Sequence, residues 1–307
     1  MTALQKFSDP DLTAKNEPRA RVGFSGLETL WINTGTLCNI QCKNCYIESS
    51  PTNDNLVYIK KSDVARYLDE ADALGARQIG FTGGEPFMNP DFLGMLEDAL
   101  ERGFEVLVLT NAMRPAMRAP IQKEMQRLNA KFSSTLTLRV SLDHFTQYGH
   151  DEERGDGSFA LAREGIQWFC DQGFNVSIAG RNIDGDDNGK SELGYNKLMQ
   201  ELGIDTENLR KDQLVVFPEI AANDDPPEIT TSCWKILDID PASMMCANSR
   251  MIIHRKGEAR PTVVACTLLP YDDDFDYGPS LAAALHPVKL NHRFCANFCV
   301  LGGSSCS

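Results

Sequence analysis

Three cysteines placed close together give the clearest chemical signal in this sequence. Cys38, Cys42 and Cys45 follow an apolar stretch at residues 30–34 and are separated by three and then two residues. Thiolates this close can hold one soft metal centre, and sulfur ligands favour iron–sulfur clusters, zinc or cuprous copper. A cubane iron–sulfur cluster normally takes four cysteines. Three would leave one iron without a protein ligand, which is typical of catalytic metal sites and not of closed structural ones.

A structural zinc site is the alternative explanation of this loop. Such sites pair two cysteines two to four residues apart with a distant second pair, so Cys42 and Cys45 alone could be half of one. The chain has ten cysteines, and its N-terminus shows no apolar secretory segment. We therefore expect a cytoplasmic protein whose cysteines serve metal or redox chemistry rather than disulfides.

A second motif, Gly83-Gly84-Glu85-Pro86, follows a short apolar segment directly. Glycines at such a turn let the backbone approach a ligand closely, and Glu85 offers an acceptor for a cation. Ser141 and Asp143 end another apolar segment, and Arg154 follows in the next loop. The alternative explanation of Ser141 and Asp143 is that their side chains cap a turn.

The elements that must position these residues are alternating helices and apolar strands. Three times between residues 62 and 180 a helical pattern ends at a glycine and a buried strand follows. This order predicts an α/β fold with a parallel sheet. Six strands are predicted, fewer than the eight of a closed barrel: 27–33, 77–82, 104–109, 136–140, 174–178 and 214–217.

The cysteine spacing, with the Gly-Gly-Glu-Pro turn one βα unit later, resembles the signature of the radical S-adenosylmethionine (radical SAM) enzymes. In that family the cluster splits SAM into methionine and a 5′-deoxyadenosyl radical. The resemblance implies a six-stranded partial (β/α)6 TIM-like barrel over residues 27–230. Residues 1–26 before it are polar and carry Pro10 and Pro18, which predicts a loosely held arm. The resemblance implies a catalytic 4Fe–4S cluster on Cys38, Cys42 and Cys45. It also implies a set of SAM-binding residues: Gly83, Gly84, Glu85, Ser141, Asp143 and Arg154.

Two details of the sequence relate to that family in opposite ways. Thr110-Asn111 resembles the family's TN(G) turn, with Ala112 in place of the glycine. Where the family has an aromatic residue before the third cysteine, this sequence has Asn44, and Tyr46 follows.

The last quarter of the chain carries six further cysteines and little helical periodicity. A hairpin is predicted at 250–257, between Cys246 and Cys266. These two cysteines could bind metal together with later ones. The arrangement resembles the SPASM or twitch auxiliary-cluster domain of many radical SAM enzymes, here residues 231–307. Six cysteines are too few for two cubanes, so we expect one auxiliary 4Fe–4S cluster. Its expected ligands are Cys246, Cys266, Cys295 and Cys299, with Cys306 as a possible replacement and Cys233 as the weakest candidate.

The leading hypothesis is a radical SAM oxidoreductase or tailoring enzyme that abstracts a hydrogen atom from its substrate. A small-molecule substrate is preferred over a peptide, because the arm before residue 27 is too short for a peptide-binding domain. A peptide-modifying radical SAM maturase is the alternative. A non-catalytic zinc or iron–sulfur protein, for binding or electron transfer, is the alternative from another class.

Charge and hydropathy limit the partners. Lys and Arg total 30 against 43 for Asp and Glu, a net charge of −13, which disfavours nucleic-acid binding. No stretch approaches the roughly 20 apolar residues of a membrane span, so no membrane partner is expected. The family resemblance implies a reductant such as flavodoxin or ferredoxin.

Overall fold

The computed structural model describes residues 5–183, 185, 189–204, 206, 213–219 and 224–303 of the 307-residue chain. Its strands in this part of the chain are β1 Arg21–Val22, β2 Thr29–Asn33, β3 Gln78–Thr82, β4 Glu105–Thr110, β5 Leu136–Ser141, β6 Asn175–Asn182, β7 Leu214–Pro218, β8 Ser249–Ile253, β9 Thr262–Val264 and β10 Val288–Lys289. Its α-helices are α1 Lys61–Ala73, α2 Phe92–Glu101, α3 Ala119–Phe132, α4 Gln147–Arg154, α5 Ser158–Asp171, α6 Lys190–Glu201 and α7 Cys233–Leu237. A π-helical segment, Cys295–Val300, lies near the C-terminus.

The main sheet has the strand order β7-β6-β5-β4-β3-β2-β8-β9. Strands β2 to β7 are the six predicted strands, and all of them pair in parallel. Three of the helices end where a glycine takes a left-handed φ, at Gly75, Gly103 and Gly173, a conformation that glycine adopts without steric cost. The predicted α/β fold with a central parallel sheet is confirmed.

A seventh parallel strand comes from the C-terminal part of the chain. The predicted hairpin is present as β8 and β9, but β8 also pairs in parallel with β2, with Leu30 opposite Arg250. Residues on both sides of the expected boundary at 230 therefore share one sheet. The division of the chain into two domains there remains a prediction.

The N-terminal arm is held firmly where the structure describes it. Arg19 and Glu228 form an ion pair at 2.6 Å, with side chains 0% and 6% exposed. Glu228 also accepts backbone N–H bonds from Phe7 and Ala14, and β1 pairs with β10. Because a buried ion pair is costly to break, the expectation of a loosely held arm is wrong for residues 5–26.

Apolar side chains form two large clusters. The first fills the space between the sheet and α1 to α6. The second, which we call the C-terminal cluster, is built mainly from residues after 228 and includes the buried Cys266 and Cys295. None of the described helices is long and apolar enough to cross a membrane.

Candidate functional site

A cavity of about 210 Å³ lies where the parallel strands end. Consecutive strands contribute Thr82, Thr110, Ser141, Arg181 and Phe217 to its wall. Ligands of parallel α/β barrels bind at this end of the strands. The wall also contains most of the residues predicted from the sequence: Cys38, Cys42, Cys45, Gly83, Gly84, Ser141, Asp143 and Arg154.

Burial favours the neutral form of two thiols of this cavity, those of Cys38 and Cys42. Burial raises the pKa of Cys38 to about 12, against the opposing effect of the Ile40 backbone N–H. Burial also raises the pKa of Cys42, and the Arg154 guanidinium acts in the opposite direction. A metal centre that binds here must therefore displace protons, as is general for thiolate ligands.

The backbone of Gly83 and Gly84 packs against the start of the cysteine loop. The Gly84 N–H donates to the Gly35 carbonyl at 2.7 Å. A Cβ atom on Gly84 would lie 2.1 Å from the carbonyl oxygen of Leu37, and Gly83 has a φ of +141°. Glycine is required at both positions, because one admits no side chain and the other has a backbone conformation that disfavours one.

Glu85 is placed behind the cavity rather than on its wall. Its carboxylate accepts hydrogen bonds from the Thr110 hydroxyl at 2.9 Å and from the Asn111 N–H at 2.8 Å. Burial raises its pKa to about 7, while these two donors oppose the shift. Ala112 takes a left-handed φ of 58°, as the family's glycine at that position would readily do. Glu85 thus joins the end of β3 to the turn after β4, and its predicted contact with SAM stays a prediction.

Arg154 and Asp143 form a buried pair on the cavity wall. The guanidinium donates twice to the carboxylate, with both N–O distances at 2.9 Å. Burial acts against both charges, yet their attraction leaves the pKa of Arg154 raised and the pKa of Asp143 lowered. Both groups are therefore charged near neutral pH. The cation lies close enough to Cys42 to oppose the rise that burial causes in the pKa of that thiol.

The sequence analysis missed a second arginine, Arg181. Its guanidinium contacts Asp143 at 3.5 Å and Glu153 at 2.9 Å, and it also pairs with Glu219. The Asn44 amide donates to Glu153 at 3.4 Å and to Glu219 at 3.1 Å. This network ties the cysteine loop to α4 and β6. The one signal in the sequence was an arginine three residues after the predicted strand 174–178, and it belongs to no motif.

The C-terminal part of the chain also lines the cavity, through Thr267, Leu268 and Phe298. The Phe298 ring stacks on Phe217 at 5.4 Å and meets the Tyr46 ring edge-on at 5.7 Å. Tyr46 directly follows the third cysteine, so these aromatic contacts join the cysteine loop to the C-terminal cluster.

The cysteines predicted to hold an auxiliary cluster belong to the C-terminal cluster or pack against it. Cys246, Cys266, Cys295 and Cys299 all pack there. Burial raises the pKa of Cys295 well above its ordinary value, and the neighbouring Cys266 and Cys246 raise it further.

Cys233 packs against the same cluster. Cys306 lies outside the described residues, and the Cys233 sulfur accepts the Thr230 N–H at 3.3 Å. Among the described residues, no group of three or more His, Cys, Asp or Glu side chains surrounds a single metal-ion position. A cubane differs from a single ion in this respect, because its cysteines bind separate iron atoms.

Comparison with known proteins identifies the family. The model of the radical SAM superfamily matches residues 32–186, half of the chain. The match includes the three cysteines, the glycine turn and the Arg154–Asp143 pair. The chain therefore belongs to the radical SAM superfamily of enzymes, whose cofactors are a 4Fe–4S cluster and S-adenosylmethionine.

Individual relatives match parts of the chain. The antilisterial bacteriocin subtilosin biosynthesis protein AlbA of Bacillus subtilis is 32% identical over 46% of this chain and 30% of its own length. The mycofactocin maturase MftC of Mycobacterium ulcerans is 29% identical over 48% of this chain and 38% of its own length. This chain thus spans well under half of either relative.

Among solved structures, that of Streptococcus suis SuiB bound to precursor peptide SuiA is similar, with a TM-score of 0.60. The similarity covers 85% of this chain and 65% of SuiB at 14% identity, so it shows a shared fold.

These relatives overturn one prediction, the preference for a small-molecule substrate over a peptide. SuiB has been solved with a precursor peptide, and the two relatives are a bacteriocin biosynthesis protein and a maturase. The premise was that a peptide substrate needs a long segment before the barrel. The prediction was wrong because the length of that arm says nothing about what the cavity itself can admit.

Proposed function

We propose that this protein is a radical SAM maturase that modifies a peptide. When bound, the cluster and SAM supply a 5′-deoxyadenosyl radical that abstracts a hydrogen atom from the substrate. The observation that carries the proposal is the single cavity in which three cysteines, a glycine turn and a buried arginine meet. The all-sulfur donor set of the cysteine loop suits an iron–sulfur cluster.

Different residues of the cavity would hold the cluster and SAM. Cys38, Cys42 and Cys45 would hold the cluster as thiolates and would lose their protons to solvent when it binds. The backbone of the glycine turn and the Ser141 hydroxyl would position SAM. Arg154 uses its Nε and Nη2 groups on Asp143. Because a guanidinium has five N–H donors, the Nη1 donors of Arg154 remain for the SAM carboxylate.

The far wall of the cavity supports a substrate with apolar atoms. Phe217, Leu268 and Phe298 line it beside the Tyr46 ring, and Phe298 is only 1% exposed. Such a wall would bury a peptide side chain and exclude water from the reacting carbon. SuiB, whose fold is similar, has been solved with a precursor peptide, which supports a peptide as the class of substrate.

Two finer features belong to the same proposal. We infer that the sheet curves into the partial barrel of the family, because five consecutive strands reach one small cavity. If flat, five strands would span about 19 Å at their usual spacing of about 4.8 Å. We also infer that Cys246, Cys266, Cys295 and Cys299 hold an auxiliary 4Fe–4S cluster that accepts an electron or binds substrate.

Reductive cleavage of SAM tests the proposal without knowledge of the substrate. The reconstituted protein, with dithionite and SAM under anaerobic conditions, is expected to form 5′-deoxyadenosine, which chromatography measures. Cys42→Ala should abolish this product. Cys170→Ala is the matched control, since Cys170 lies on α5 and not on the cavity wall, and it should retain the activity. Deoxyadenosine formation by the Cys42 variant would refute the assignment.

A further inference from the structure

Two open grooves of opposite charge flank the cysteine loop. One, which we call the basic groove, has a volume of about 620 Å³ and is lined by Asn39, Ile40, Arg114, Arg118 and Arg154, among others. The other, which we call the acidic groove, has a volume of about 810 Å³ and runs past Cys45. Its wall includes Asp272, Asp273 and Asp274 together with Glu48, Lys43 and Arg293.

We propose that the basic groove docks an acidic, low-potential one-electron carrier protein that reduces the catalytic cluster. The inference rests on the proposed function, since only a redox-active cluster needs such a partner. In the step itself the carrier loses one electron and the cluster gains it, and no proton or bond is exchanged between the two proteins.

The charge distribution favours this groove as the place of docking. The whole chain carries −13, so an acidic partner is repelled from most of its surface and needs a local positive patch. Arg114 is exposed and makes no ion pair with a described residue. Arg118 is exposed as well, and its Nε donates to the Pro115 carbonyl at 3.0 Å, which fixes the side chain on the groove.

The basic groove stays positive although Arg154 is neutralised and one acidic residue lies on its wall. Arg154 is offset by Asp143, which leaves Arg114 and Arg118 as the groove's free positive charges. Asp156 is the one acidic residue on the described wall of the basic groove. The acidic groove, with its three consecutive aspartates, would repel the same partner.

The basic groove also reaches the cysteine loop from outside the cavity. Asn39, on its wall, accepts a hydrogen bond from the Asn111 amide at 2.9 Å. The same Asn111 amide lies 3.8 Å from the Cys38 sulfur. The Asn39 side-chain oxygen itself lies 3.9 Å from the Cys38 sulfur, so an electron that enters here passes one side chain to reach a cluster ligand.

The test compares a protein reductant with a chemical one. The reconstituted full-length protein is assayed for 5′-deoxyadenosine with reduced flavodoxin or with dithionite, at low ionic strength. Arg114→Glu should lower the flavodoxin-supported rate by about tenfold, because a steering charge is reversed. Arg114→Glu/Arg118→Glu should lower it further. Both variants should keep the dithionite-supported rate, because dithionite needs no docking surface.

Matched measurements separate the possible outcomes. Arg260→Glu is the control, an exposed arginine between β8 and β9, and should keep both rates. Titration with oxidised flavodoxin should show a lower affinity for Arg114→Glu than for the parent protein or Arg260→Glu, and the lowest affinity for the double variant. Salt should weaken the binding of flavodoxin to the parent protein. Equal loss with both reductants, or unchanged flavodoxin binding by the double variant, overturns the docking inference. Absence of cleavage by the parent protein with either reductant overturns the proposed function instead.

Discussion

At Gly84 the local geometry leaves no room for even one methyl group. The Cβ position lies 2.1 Å from the Leu37 carbonyl oxygen and 2.8 Å from that of Thr36, and backbone atoms cannot move aside as a flexible side chain can. Gly84→Ala must therefore displace the cysteine loop. We expect a loss of roughly 1–3 kcal/mol in the free energy of unfolding of the cluster-free protein, measured with urea, and weaker iron binding on reconstitution.

The control for this prediction is Gly23→Ala. An added Cβ there meets no atom within 4 Å, and φ is not left-handed. We expect this variant to stay within about 1 kcal/mol of the parent protein. If both variants have the same stability, the packing of the glycine turn on the loop is not what positions Cys38.

His150 predicts how stability depends on pH. The side chain is fully buried beside Phe159, and neither ring nitrogen has a hydrogen-bond partner among the described residues. Burial and, to a smaller extent, the charge of Arg154 lower its pKa to about 4. Between pH 6.5 and 4 the unfolded chain therefore takes up a proton that the folded protein does not. The free energy of unfolding should fall over this range by about 3 kcal/mol, at 1.36 kcal/mol per pKa unit.

His150→Leu should remove this part of the pH dependence. The comparison is the slope of the free energy of unfolding against pH, measured for the parent and for the variant at several pH values. His286→Gln, at an exposed position, should keep the parent's slope. A His150→Leu variant that loses stability as steeply as the parent below pH 6.5 would contradict the prediction.

At the scale of elements, Arg181 fixes β6, α4 and the cysteine loop to one another. Its removal would leave Asp143, Glu153 and Glu219 without their shared cation, although Arg154 would still bind Asp143. We expect Arg181→Met to cost about 3–5 kcal/mol in the free energy of unfolding, since breaking a buried ion pair leaves uncompensated charges. The cost should shrink at low pH, where the freed carboxylates are protonated.

An exposed ion pair provides the contrast. Arg163 contacts Glu201 at 3.6 Å with 38% of its own side chain exposed. Arg163→Met should therefore cost only about 0–1 kcal/mol. Similar costs for the two arginine variants would mean that the Arg181 network adds little to the stability of the site.

The same elements show which parts of the fold the sequence could predict. A strand such as β4 has the apolar run 106–109 at its centre and carries a candidate site residue at its end, so the local pattern was enough to find the strand and Thr110. The pairing of β8 with β2 joins residues more than 200 positions apart, and nothing local encodes such a contact. Arg181 was missed for a related reason, because its three carboxylate partners come from three separate segments.

At the scale of the whole molecule, the two sets of cysteines predict its metal content. Cys38, Cys42 and Cys45 line the cavity, while Cys246, Cys266, Cys295 and Cys299 pack in the C-terminal cluster. Two cubanes require about eight iron and eight sulfide per chain. We expect that stoichiometry after anaerobic reconstitution, measured by iron and acid-labile sulfide assays.

Cysteine variants of the C-terminal cluster decide whether the second set binds iron. Cys266→Ala should lower the content to about four iron per chain, because Cys266 and Cys295 are close enough to influence each other's charge. Cys233→Ala should keep about eight, since the Cys233 sulfur is occupied in a local turn with Thr230. About four iron in the parent protein would remove the auxiliary cluster from the proposal, and about eight in the Cys266 variant would remove Cys266 from the ligand set. Either result would leave the catalytic cluster in the cavity, whose three cysteines belong to the other set.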